Sequence, residues 1–210
     1  MSGGLFLWLL QQSTNVFERV YTVMKMSLMF WALTLMGGVI LGVGPAFLVL
    51  MDLYHEHGWE YRGYAWRNLV SCFKTHFKRG NALLYAVLVP QILIGYNVYL
   101  ATQVKHPLFF VLDFVLIAMF IFLSIAYIYG LVLNAAFEIE FYNLIKLSVI
   151  SVFVNFFKIF RIVMLMMCVL ALTYRYKGLI LFGSIGIYIA LMHWSLNGWI
   201  HEVDEKIEIL

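Results

Sequence analysis

The chain has 210 residues, 64% of them hydrophobic and only 12% charged, with a formal net charge of +3. That balance excludes an ordinary water-soluble globular domain and leaves room for one compact membrane domain with little outside it. Cys72 lies in a basic segment and Cys168 in an apolar run, and neither has CxxC or Cys/His spacing, so no disulfide framework, structural zinc site or other cofactor is expected.

The first 21 residues carry a short apolar run, Leu5 to Leu10, then Val16, Phe17, Val20 and Tyr21 at helical spacing. Six residues cannot span a bilayer, so residues 1–21 are expected to form an amphipathic helix at the interface. With neither a basic leader nor a small-residue cleavage signal before the apolar run, the segment does not read as a signal peptide.

No formal charge occurs between Lys25 and Asp52. That stretch predicts a first span over about 26–50, since about 20 apolar residues cross a core of roughly 30 Å. Its centre, GGVILGVGPA, holds Gly37, Gly38, Gly42, Gly44 and Pro45. Gly38 and Gly42, four apart, suit close helix packing, either within the protein or against a partner. Gly44-Pro45 frees backbone carbonyls, so a bend toward the following loop is expected, with a hinge or binding site as the alternative.

Loop 52–80 gathers Arg62, Arg67, Lys74, Lys78 and Arg79. Such a cluster between apolar runs points to a cytoplasmic loop rather than to nucleic acid. Within it, Trp66, Leu69, Val70, Phe73 and Phe77 recur at helical spacing, while Arg67, Lys74 and Lys78 fill the other face. Segment 63–79 is therefore expected to be an amphipathic helix lying on the inner leaflet or against a partner.

Further spans are expected over about 81–103, 108–133, 156–175 and 178–199, which makes an all-α polytopic bundle of about five transmembrane helices. The fourth is short: only 13 charge-free residues separate Arg161 from Arg175. Residues Leu147 to Phe153 then form an interfacial helix, and Lys158 and Arg161 snorkel to the headgroups. The rival reading puts both charges at mid-membrane, at a cost of about 2.5–3.5 kcal/mol each. With five spans, nine basic residues fall on the side of loop 52–80 and the C-terminus against five on the other, so that side is expected to be cytoplasmic.

At these residues the chain resembles the YesL-like family of bacterial integral membrane proteins. The resemblance rests on Trp31 followed by Gly44-Pro45-Ala46, on WRNLVSCFKTHFKRGN from Trp66 to Asn81, and on the helix with Lys146 that precedes Asn155. Many members carry an asparagine three residues before the tryptophan; here Leu28 stands there. The resemblance implies a plasma-membrane protein with an accessory or regulatory role beside the permease and ATPase subunits of a carbohydrate importer of the ATP-binding-cassette type.

Candidate polar sites are few. His55-Glu56-His57 has metal-ligand residue types, but spacing of two suits a strand or loop rather than one helix face, and a solvated loop is the expected reading. Asp113, near the outer end of the third span, is either a functional intramembrane acid or an interfacial one paired with Lys105. Asn97, Asn134, Asn155 and Asn197 lie in or beside spans, where interhelical hydrogen bonds account for them as well as a polar path does. His193 reads as a buried histidine able to hydrogen-bond one of them, with a proton relay as the alternative. Glu138 and Glu140 read as loop acids, and no nucleophile–base set, paired carboxylates or metal set has catalytic spacing. An enzyme is therefore not expected. An independent transporter or channel is the alternative to the accessory role, although only one span is visibly broken and no internal repeat accompanies it.

Overall fold

A computed structural model describes residues 2–104, 106–137, 139–154 and 156–208. Every regular element among them is helical: α1 Ser2–Met36, α2 Val43–His57, α3 Trp66–Ala101, α4 Pro107–Ala136, α5 Phe141–Val154, α6 Phe156–Arg175, α7 Leu179–Phe182 and α8 Ser184–Glu208. Two of them, Trp66–Ala101 and Phe109–Ala136, are long and apolar enough to cross a membrane. A third crossing arises only if Phe141–Val154 and Lys158–Arg175, which meet at 99°, count as one broken span.

The first expected span is not one helix. α1 runs unbroken from the N-terminal segment to Met36, so no separate interfacial helix ends at residue 21. The chain then reverses. Gly38 N–H donates to Leu35 O and Val39 N–H to Thr34 O, with Gly38 at φ +78°. This is the glycine-capped helix end in which a left-handed residue lets two N–H groups satisfy the last carbonyls. α2 returns alongside α1: the Thr22 hydroxyl lies 3.0 Å from the carbonyl of Trp59, and Lys25 Nζ donates to Tyr61 O at 2.7 Å. The glycine-rich centre is thus the turn of a helical hairpin rather than the kink of a crossing helix.

Small residues set how closely the helices approach. A Cβ on Gly44 would sit 2.5 Å from Gly80 O, and one on Gly80 would sit 2.5 Å from Pro45 Cα, so α2 and α3 cross there backbone against backbone. α8 touches α1 in the same manner, where Gly186 lies against Val23 and its N–H donates to Ser27 Oγ at 3.0 Å. Around these contacts α2 buries Leu48, Val49, Leu50 and Met51 completely.

Segment 63–79 is likewise not a helix on its own. From Trp66 it is the first half of α3, and it buries Leu69 and Phe73 in the protein core. Its apolar face therefore packs on protein, while Arg67, Lys74 and Lys78 stay exposed. Beyond Gly80 the same helix becomes sparsely covered and pairs with α4, where Gln91 Nε2 donates to Ser124 Oγ at 2.8 Å. α5 returns along α4, with the Phe122 and Phe153 rings 5.3 Å apart.

The last expected span, 178–199, is divided at Gly183 between α7 and α8, and α8 is not among the helices apolar enough to cross. Its serine, histidine and asparagine content suits a helix set against other helices. Thr173 Oγ1 and Ser184 Oγ lie 2.7 Å apart where α6 meets it, and Trp31 Nε1 of α1 donates to Ile180 O.

Candidate functional site

The α2–α3 crossing has a chemical consequence. By bringing α2 against the charged half of α3 and the end of α4, it gathers Asp52, His76, Arg79 and Asn134 from three helices. Asn134 Nδ2 donates to Asp52 Oδ1 at 3.2 Å, and His76 Nδ1 lies 3.7 Å from Asp52 Oδ2. The second distance is too long for a hydrogen bond. Arg79 donates through Nη2 to the backbone carbonyl of Ile139, fixing the α4–α5 connection over the cluster. A cavity of about 400 Å³ opens beside them, lined by His76, Arg79, Asn134, Phe137, Ile139 and Glu140.

The ionisation of this group follows from its burial. Loss of water around Asp52 raises its pKa to about 7, and the Asn134 hydrogen bond and the Arg79 charge only partly counter that. His76 is pushed the other way, below the ordinary histidine value, first by burial and then by Arg79. Burial disfavours the charged form of both groups, so the 3.7 Å contact is not a strong ion pair near neutrality. The arrangement can take up and release one proton near pH 7.

A second polar set ties α8 in place. His193 Nε2 and His55 Nδ1 share a hydrogen bond of 2.9 Å. The partner of His193 is thus a histidine on α2, not one of the span asparagines. His57 turns elsewhere, with Nδ1 3.8 Å from a Glu56 carboxylate oxygen. The two histidines of the HEH sequence diverge because residues two apart on a helix point about 200° apart. Among the described residues no group of three or more His, Cys, Asp or Glu side chains is placed to hold a metal. Arg161 is tied to α8: Nε donates to Ser195 Oγ at 2.9 Å, Nη2 donates to the Ser195 carbonyl, and the guanidinium lies 5.5 Å from the Trp194 ring centroid.

The other expected site residues separate into three kinds. Gly37 and Gly42 close the hairpin turn, since a Cβ on either would overlap backbone across it. Gly38 packs against nothing, because a Cβ there would meet no atom within 4 Å, so its role is conformational and the Gly38/Gly42 packing pair is replaced by Gly44 with Gly80. In α3, Phe77 meets Phe73 edge to face with ring centroids 5.6 Å apart, whereas Trp66 is half exposed. Asp113 has a buried Oδ1 with no hydrogen-bond partner among the described residues. Lys105, Glu138 and Asn155, to which sequence reasoning gave roles, lie outside the described residues.

Sequence reasoning missed Asp52 and His76. Asp52 stood out only as the charge that ended an apolar run. The available signal was that Leu48, Met51 and Tyr54 continue the helical pattern past it, which puts Asp52 on a packed helix and not in a loop.

These features define, among the described residues, an all-helical protein with two, or up to three, segments able to span a membrane and a half-buried acid–amide–imidazole cluster where α2, α3 and α4 meet. Residues 23–98 match the family described as a protein of unknown function, DUF624. That stretch takes in the second half of α1, all of α2 and nearly all of α3, and so includes Asp52, His76 and Arg79 but not Asn134, Arg161 or His193. No curated protein matches the chain, and no solved structure does.

Proposed function

We propose that the protein is a non-enzymatic accessory or regulatory subunit of the bacterial plasma membrane, working with the permease and ATPase subunits of a carbohydrate importer of the ATP-binding-cassette type. In this reading the basic segment 52–80 and the C-terminus face the cytoplasm, and α3 and α4 provide the anchoring crossings. The observation that carries it is the first half of α3. Leu69 and Phe73 bury one face in the protein, which leaves Arg67, Lys74 and Lys78 presented on a rigid helix. A fixed cationic ridge beside the membrane suits an acidic surface on a partner and speeds its encounter. The family resemblance supplies the identity of that partner.

Purification from the native membrane in mild detergent tests the proposal. Permease and ATPase subunits are expected to co-purify at native expression, and a triple R67E/K74E/K78E variant is expected to lose them while keeping its own fold. If the wild-type protein brings down neither subunit, the accessory reading fails.

A second reading, an independent small-solute transporter or channel, is favoured by the Asp52 cluster. A half-buried acid with a pKa raised toward neutrality beside an open cavity is a common feature of proton-linked sites. Proteoliposomes holding this protein alone would then show pH-dependent uptake that D52N abolishes.

A further inference from the structure

We infer that the part of α1 from Thr22 onward and α2 form a hairpin that enters one leaflet tip-first and returns, so that its apolar turn is covered by lipid acyl chains and its paired ends at Thr22 and Trp59 lie on the same side of the membrane.

The geometry excludes a crossing by this part of the chain. Its two open ends touch: the Thr22 hydroxyl and Lys25 Nζ each reach a carbonyl of the Trp59–Tyr61 segment. From Thr22 to Met36 is a rise of about 21 Å, and α2, at 15 residues, is about 22 Å long. Either length falls short of a hydrocarbon core of about 30 Å.

The tip is placed by its contact with α3. Tyr85 OH donates to Ile40 O at 3.2 Å. Tyr85 lies five residues past Gly80, where the charge-free stretch of α3 begins, so the tip sits about 9 Å beyond the last charge, Arg79. That is within a single leaflet. The chemistry at each end agrees. At the tip, Leu35 is 68% exposed and Ile40 71%, with Met36, Val39 and Leu41 also open, an apolar patch that water does not suit. At the open end stand Arg19, Trp59, Tyr61 and Arg62, where the Arg19 guanidinium lies 5.5 Å from the Trp59 ring centroid, the aromatic and basic mixture of an interface. Hydrocarbon is the occupant because the tip meets α3 at Tyr85, at the start of a charge-free stretch whose Val89, Ile92 and Leu93 are exposed as well.

The arrangement also changes the charge count. Arg19 and Lys25 join Arg62, Arg67, Lys74, Lys78 and Arg79 on one side, and in sequence only Lys105 falls between α3 and α4. The positive-inside bias of this half of the chain is far steeper than with a crossing at residues 26–50.

Single-cysteine labelling in vesicles of known orientation tests the inference, with Cys72 and Cys168 replaced by alanine. Arg19→Cys and Arg62→Cys should react with a membrane-impermeant maleimide from the same side, and Gln103→Cys only from the other. Ile40→Cys should react from neither side, and a fluorophore placed there should be quenched by nitroxide-labelled lipid. Labelling of Arg19→Cys and Arg62→Cys from opposite sides would overturn the hairpin. Labelling of Ile40→Cys from the Arg62 side would overturn the lipid occupant, and labelling from the Gln103 side would overturn both. A Lys25→Cys/Tyr61→Cys double variant gives an independent measurement, since a short bis-maleimide should join the two sites only if the hairpin closes.

Discussion

Two helical hairpins meet at Gly80, and they solve opposite problems with similar residues. The α1–α2 hairpin and the second half of α3 with α4 are both apolar, yet α2 buries nine of its residues, while only 11% of the most apolar window of each crossing helix is buried by protein. What differs is the presence of small residues at crossings and of polar pairs. Gly44 and Gly80 let α2 and α3 backbones touch, and Asp52, Asn134, His55 and His193 give α2 partners on neighbouring helices. The α3–α4 pair has Gln91 with Ser124 and leaves most side chains exposed from Ile92 to Ile121, until the last part of α4 buries Ile125, Ile128, Tyr129, Val132 and Leu133 in the core. Apolar composition reports that a helix avoids water; the small and polar residues report whether protein or lipid covers it.

Truncation sharpens that comparison most. Leu50→Ala in α2 leaves a fully enclosed void and should cost about 2–5 kcal/mol, read as detergent-resistant thermal stability. Phe110→Ala in α4, where the side chain is 79% exposed, should leave the midpoint close to wild type. Equal effects at both positions would mean that α4 packs on a partner copy or another protein.

Close approach is the next test. Gly44→Ala forces a Cβ against Gly80 O and should destabilise by about 1–3 kcal/mol. Gly95→Ala, with nothing within 4 Å, should be neutral or stabilise by up to about 1 kcal/mol through helix propensity. A destabilised Gly95→Ala would reveal an unseen neighbour on the membrane hairpin.

A pH series addresses the buried acid. Because the folded protein holds the Asp52 proton up to about pH 7, while an unfolded chain releases it near the ordinary carboxylate value of 3.8, the folded state binds more protons in between. Stability contributed at this position is therefore present at low pH and is lost as pH rises from about 4 to 7. The difference in melting temperature between wild type and Asp52→Asn should follow that window and flatten above it. A flat difference throughout would show an Asp52 that stays ionised.

The smallest expected effect is at the α2–α8 contact. His193→Ala removes one hydrogen bond to a half-exposed partner and should cost about 1 kcal/mol. A much larger loss would make His55–His193 a principal clasp rather than an auxiliary one.

Much of the helical content was legible from apolar runs, and the bounds of α6, Phe156–Arg175, coincide with those expected. The amphipathic pattern of Trp66 to Phe77 was legible too, but its continuation into α3 was not, because Arg79 and Gly80 looked like a boundary. The hairpin turn was hidden for a physical reason. A charge-free stretch of 26 residues is long enough to cross, and only contacts distant in sequence, such as Lys25 with Tyr61, decide that it folds back. Asp52 was hidden in the same way, since helices distant in sequence enclose it, among them α4 with Asn134, 82 residues later.

The closed end of the hairpin bears on how the chain is made. When the first two helices return to the side they started from, a ribosome-bound insertion channel has no soluble segment to move before α3 emerges. Among the first four helices only the short connector from Thr102 to His106 must then pass through the hydrocarbon. The seven arginines and lysines from Arg19 to Arg79 can remain hydrated throughout synthesis.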